Sequence, residues 1–290
     1  MTEPQMELRE WALRILSANV LEEKLLCPHV LTDEMPGAPV IIDEPARPPG
    51  MGFHKRTKQQ KLPPFQDLKK EENRAICLHR FAGHELLAVE IMAYALLAFP
   101  DAPKSFRKGI AHTLQEEQEH VRMYMRRMEE MGVHFGDLPL FRHFWNHVPH
   151  LTSPTRYVSV MSLTFEMANL DFATLYGKSF ASFGDESSSQ LMGKILQDEI
   201  RHVSFGYRWL NNFTTEKGPW DTWIANLAPD LPPKRAKGFV LMEEPRRMAG
   251  LPDEWIRNLK QEAIPSNVPQ FGAKPQLLRN VDDPQVAPLD

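Results

Sequence analysis

"LQEEQEHV" occupies Leu114 to Val121 and "LQDEIRHV" occupies Leu196 to Val203, the same pattern twice at an offset of 82 residues, with Glu and His three apart each time. In an α-helix residues three apart share a face, so each copy presents one carboxylate and one imidazole in the same direction. Random placement of 24 Glu and 11 His in 290 residues gives about one Glu-x-x-His, so a single copy would carry little weight. Two copies within helical windows carry much more.

Proline marks out those windows. Of 25 prolines, none falls between 65 and 99, between 104 and 138, or between 155 and 218. Helical apolar periodicity runs over 71–98, 105–131, 154–182 and 186–212. "FPDAP" separates the first two, Ser153 and Pro154 form the cap and first turn of the third, and Gly184 and Asp185 separate the last two. Short links make antiparallel neighbours, whereas the stretch of about twenty residues between the second and third helices can cross the length of a bundle. The expected fold is all-α, a four-helix bundle with one long crossover in the ferritin-like arrangement. It would span 71–213, between an N-terminal helix and Pro-rich wrapping segment (1–70) and a C-terminal extension (214–290). Within the flanks one amphipathic helix is expected over 5–26 and short helices near 234–248 and 252–263.

The inward stripes read Leu78, Ala82, Glu85, Val89, Met92, Leu96 on the first helix and Ile110, Leu114, Glu117, Val121, Tyr124, Met128 on the second. The third carries Leu163, Glu166, Leu170, Ala173, and the fourth Leu191, Ile195, Glu199, His202 or Val203, Gly206. Four carboxylates therefore point at one core with no Lys or Arg on the stripes, a severe penalty unless positive charge is supplied. Two divalent cations would balance them, with His120 and His202 as neutral ligands. Glu85 precedes Glu117 by 32 residues and Glu166 precedes Glu199 by 33, so each pair of helices reads as half of a pseudo-symmetric site.

A Glu on each of two helices plus Glu-x-x-His on the other two resembles the di-iron carboxylate pattern of the ferritin-like superfamily. "EEQEH" at 116–120 looks like the helix-B segment of ferritins, and "HELLA" at 84–88 is similar to their helix-A ligand segment. Over most of the chain, "HRFAGHELLAVEIMAYALLAFPDAP", "FGDLPLFRHFW", "MSLTFEMANLDFATLYGKSF" and "DEIRHVSFGYRWL" resemble an uncharacterised bacterial ferritin-like family, distantly similar to di-iron tRNA hydroxylases. The resemblance implies metal ligation by Glu85, Glu117, His120, Glu166, Glu199 and His202, with Glu117 and Glu199 central to catalysis. It implies two Fe ions, with Mn/Fe as a variant.

Several readings stay open. The acids and histidines sit on solvated faces, or the bundle holds one structural ion, or it holds a dinuclear site that uses O₂ or peroxide on a small-molecule substrate. RNA modification, ferroxidase activity and peroxide scavenging are the alternative functions. The net charge of −4 disfavours nucleic acid, with the basic run "HKRTKQQK" (His54–Lys61) as the one local exception. The electron donor is unidentified and a homodimer is allowed. Glu90 lies off the stripe and is assigned to the surface, whereas Glu116 and Asp198 are placed to accept from histidine N–H groups or are chance acidic neighbours. His79 and His84 are expected to be satisfied locally, and the tyrosines to fill core.

Cys27 and Cys77 are the only cysteines, which excludes a disulfide framework and a four-cysteine metal site and suits two buried small hydrophobes. No apolar run reaches the roughly 18 residues of a membrane span, and the acidic N-terminus lacks a secretory pattern, so no membrane partner and a cytoplasmic location are expected.

Overall fold

Residues 5–55, 61–214 and 217–262 are described by the computed structural model, and they are mostly helical. The single helix expected over 5–26 is interrupted. Strand β1 (Gln5–Glu7) leads into α1 (Leu8–Ser17), Ala18 and Val20 are extended, and α2 (Leu21–Lys24) is one turn. The break turns Lys24 inward, where Nζ donates to the Ile15 carbonyl at 2.8 Å. It also lets β1 pair in parallel with β2 (Val30–Thr32).

The proline-free windows form the long helices. Helix α3 (Glu71–Ala98) packs along α4 (Lys104–Glu129), and a segment crossing from 130 to 153 leads to the second pair. There α5 (Pro154–Val160), a π-helical segment (Met161–Glu166) and α6 (Met167–Ser182) form one rod along α7 (Glu186–Phe213). Ser153 caps α5, its Oγ accepting from the Arg156 N–H, and Pro154 fills the first turn. Gly184, at φ +78°, reverses the chain after α6, and the Asp185 side chain accepts from the Ser188 N–H to start α7. The two hairpins meet where α4 packs on α7, and α1 lies on α3. A Cβ on Gly109 would come 2.2 Å from the Phe205 ring, so the α4–α7 approach depends on that missing side chain.

Among the described residues, one helix is long and apolar enough to cross a membrane by length and composition. It is α3, with mean hydropathy 1.4 over a window that is 89% buried inside the protein, so its apolar character is spent on the core. This qualifies the expectation of no span-length segment.

The described parts of both flanks lie on the helices. Asp33 and Arg107 form a buried pair, and Arg107 also donates to the Leu96 and Phe99 carbonyls at the end of α3. The C-terminal part holds α8 (Pro219–Ala225), a 3-10 turn (Pro233–Ala236), α9 (Glu243–Met248) and α10 (Asp253–Gln261). Residues 237–242 are not helical because Gly238 and Met242 give their N–H groups to Asp171 on α6, both at 2.7 Å. Arg246 closes the same carboxylate in a bidentate pair at 2.6 and 2.9 Å. Residues 56–60 of the basic run lie outside the described residues, as does the chain beyond 262.

Candidate metal centre

The stripes predicted to face inward do so, and the carboxylates they carry converge midway along the long helices. Glu85 on α3, Glu117 and His120 on α4, Glu166 at the end of the π segment, and Glu199 and His202 on α7 are all buried, none more than 6% exposed. One ligand atom from each of Glu85, Glu117, His120 and Glu199 falls within a 4.8 Å cluster, and Glu117, Glu166 and His202 form a second. Glu117 belongs to both. The pairing thus differs from a split by hairpins, because Glu199 of the second hairpin joins the acids and histidine of the first.

Each histidine is oriented from the other helix. His120 Nε2 lies 3.0 Å from Asp198 Oδ2 on α7, and His202 Nε2 lies 2.9 Å from Glu116 Oε2 on α4. Carboxylates accept only, so each Nε2 carries its proton and each Nδ1 is left as the donor atom facing the cluster. His120 Nδ1 is 3.1 Å from Glu117 Oε2, and His202 Nδ1 is 3.1 Å from Glu117 Oε1. Arg201, on the outer side, ties the two orienting acids together, pairing with Glu116 at 2.7 Å and with Asp198. Asn169 of α6 donates to Glu199 Oε1 at 2.7 Å.

What the cluster lacks is equally informative. Glu117 Oε1, both Glu166 oxygens, Glu199 Oε2 and His202 Nδ1 are buried without a hydrogen bond among the described residues, the close His202–Glu117 contact being misaligned for one. Buried polar atoms are rarely left so, and five in one place indicate a missing partner. The electrostatics agree. Burial, reinforced by the Glu117 and Glu199 charges, raises Glu85 well above the carboxylate range. Burial also raises Glu166 to about 8, although His202 pulls it down while Glu199 and Glu117 add to the rise. Glu199 is raised too, chiefly by burial. Burial opposes ionisation of Glu117 as well, but His120 and His202 outweigh it and hold Glu117 low. Burial would lower both histidines, yet the Glu117 charge and the Asp198 and Glu117 bonds lift His120 to about 9. Glu116, Glu117 and Glu199 lift His202 well above its usual value. Raised carboxyl and imidazole values side by side are what buried acids with too little positive charge among their own neighbours produce. Its donors are carboxylate oxygens and imidazole nitrogens, without thiolate. The buried acidic and histidine clusters are able to hold metal.

Other candidates fall elsewhere. Glu90, assigned to the surface by its position off the stripe, is fully buried. Lys24 Nζ lies 3.1 Å from Glu90 Oε1 and Arg47 Nη2 lies 2.5 Å from Oε2, both cations arriving from the N-terminal segment. His79 is local, its neutral Nε2 accepting from the Gly136 and Leu138 N–H groups at 3.0 and 3.3 Å. His84 packs beside Phe144 with ring centroids 5.0 Å apart. Tyr124 and Tyr157 are buried, with the Tyr124 hydroxyl 3.6 Å from Met192 Sδ. Cys77 is buried and its thiol is pushed up to about 12 by burial, but Cys27 is exposed, against expectation, because it follows the short α2 at the protein surface.

Residues 6–257 match the model of a family described as Protein of unknown function (DUF455), and the chain belongs to that family. No curated protein and no solved structure matches the chain.

Proposed function

We propose that this member of the DUF455 family is a dinuclear, ferritin-like carboxylate metalloprotein that uses O₂ or peroxide to oxidise or hydroxylate a small-molecule substrate. The observation that carries the reading is the set of four buried carboxylates from four helical segments with no Lys or Arg partner among the described residues, converging on two imidazole Nδ1 atoms. Glu85, Glu117, His120 and Glu199 would hold one ion and Glu117, Glu166 and His202 the other. The ferritin-like assignment is supported by two long helical hairpins joined by one long crossing segment.

Bound Fe or Mn supplies one-electron redox chemistry and affinity for O₂ or peroxide. The chain supplies the rest. Glu117 and Glu199 reach between the two ligand groups or beside both histidines, so they are placed to follow changes of charge there. Glu116 and Asp198 keep the Nε2 protons outside and the Nδ1 lone pairs inside. Asn169 fixes one oxygen of Glu199 and leaves the other turned inward. The near-complete burial of all six residues excludes bulk water.

Elemental analysis of protein expressed with iron and manganese tests the reading first, with about two ions per chain expected and near zero overturning it. Glu117→Ala and Glu199→Ala are expected to abolish O₂ consumption by the Fe(II)-loaded protein. Unchanged consumption would remove the site from catalysis.

A further inference from the structure

The third long rod departs from α-helical geometry at one place. Met161–Glu166 form a π segment, every residue of it is buried, and Glu166 is its last. A π turn closes by i to i+5 pairing and so takes in one extra residue, which rotates whatever follows. Such turns are rare and persist where their surroundings compensate.

The compensation is visible. The Ser159 carbonyl, just before the segment, accepts from Thr164 Oγ1, five residues further on, at 2.7 Å. It also accepts the indole N–H of Trp223 at 3.1 Å, and the same N–H lies 3.2 Å from Thr164 Oγ1. One indole nitrogen therefore spans both ends of the widened turn. Trp223 comes from α8 in the C-terminal extension, is fully buried, and is braced by Trp220 and Trp255 at ring separations of 5.0 and 5.3 Å. On α7, a Cβ at Gly206 would stand 2.3 Å from Ser162 Cβ, so the helix carrying Glu199 and His202 comes as close as backbone allows to the same segment.

We propose that Trp223 is a positioning residue for Glu166. Its indole N–H holds the π turn open and thereby aims the Glu166 carboxylate at Glu117 and His202. This rests on the metal reading above. The first ligand group, Glu85, Glu117, His120 and Glu199, contains no residue of the π segment. The role of Trp223 is therefore confined to the second group, and the C-terminal extension acts as a part of the metal centre that touches no ion.

Three substitutions at two positions separate this role from general stability. Trp223→Phe keeps the ring packing and removes the N–H, while Thr164→Val removes the other donor and Thr164→Ser restores it. In the metal-free protein, amide hydrogen exchange over 160–167 is expected to accelerate at least about tenfold in Trp223→Phe and Thr164→Val, with 114–121 unchanged. In anaerobic titration with Fe(II), or with Mn(II), affinity for one equivalent should fall about 10- to 100-fold while the other stays within about twofold. Thr164→Ser should behave as wild type in both measurements. Unchanged exchange over 160–167, or equal weakening of both equivalents, overturns the proposal. Wild-type protein that takes up no metal overturns the functional reading instead, and the exchange measurement then still decides whether Trp223 holds the turn.

Discussion

Glu166 and Asp171 sit five residues apart on the same rod, both buried, and their surroundings are opposite. Asp171 receives two backbone N–H groups and a bidentate guanidinium, whereas neither oxygen of Glu166 has a hydrogen bond. The contrast extends through the molecule. Among the described residues nine acids are buried, and five of them, Asp33, Glu90, Asp171, Asp185 and Asp198, have Lys or Arg partners. The other four are Glu85, Glu117, Glu166 and Glu199. A fold that gives Lys or Arg partners to five of its buried acids leaves the other four at one point with only two imidazoles among them, and a bound cation, as proposed above, would complete their compensation.

The largest effect is expected at the paired acids. Arg246→Leu leaves Asp171 charged, buried and without its main partner, and is expected to cost about 3–5 kcal/mol in denaturant unfolding. A loss below about 1 kcal/mol would mean that the pairing counts for little. At the unpaired side, the bound ions should supply the missing stabilisation. Protein holding ions at about a thousandfold above their dissociation constant is expected to lose about 4 kcal/mol on chelation, read as a fall in Tm, whereas a variant lacking Glu117 and Glu199 should show no response to the chelator.

A buried titratable group outside both sets sharpens the contrast by pH. His79 is kept neutral as an acceptor, and burial lowers its pKa from 6.5 to about 4. The unfolded chain therefore takes the proton first. The stability is fully present above pH 6.5 and is lost as pH falls towards 4, up to about 3 kcal/mol in total. His79→Gln retains an acceptor and removes the titration, so its unfolding free energy should decline less over that window. The smallest effect belongs to the site itself. Glu85 already tends to hold a proton, so Glu85→Gln in the metal-free protein should change stability by about 1 kcal/mol or less while weakening metal uptake. A large destabilisation would place Glu85 with the structural acids.

Much of this was legible in the sequence because it is written at helical spacing. Proline-free windows delimit the long helices, and Glu and His three apart on an apolar stripe place Glu117, His120, Glu199 and His202 at one depth. What was not legible depends on partners far along the chain. Glu90 reads as a surface acid because its cations, Lys24 and Arg47, come from a segment 43 or more residues earlier that folds back over α3. The break of the N-terminal helix at Ala18 to Val20 has the same origin, since it serves the inward turn of Lys24. The π segment was hidden for another reason. Residues 157–168 are buried on every side, so no exposed face exists whose phase could reveal one extra residue.

The crossed orientation of the histidines makes α4 and α7 a vernier. His120 depends on an acid of α7 and His202 on an acid of α4, with separations of 3.0 and 2.9 Å. One residue of slip along a helix axis is about 1.5 Å, enough to put both acceptors out of range together. The alignment of the two helices is thereby checked twice, in opposite senses, and only one relative setting satisfies both readings.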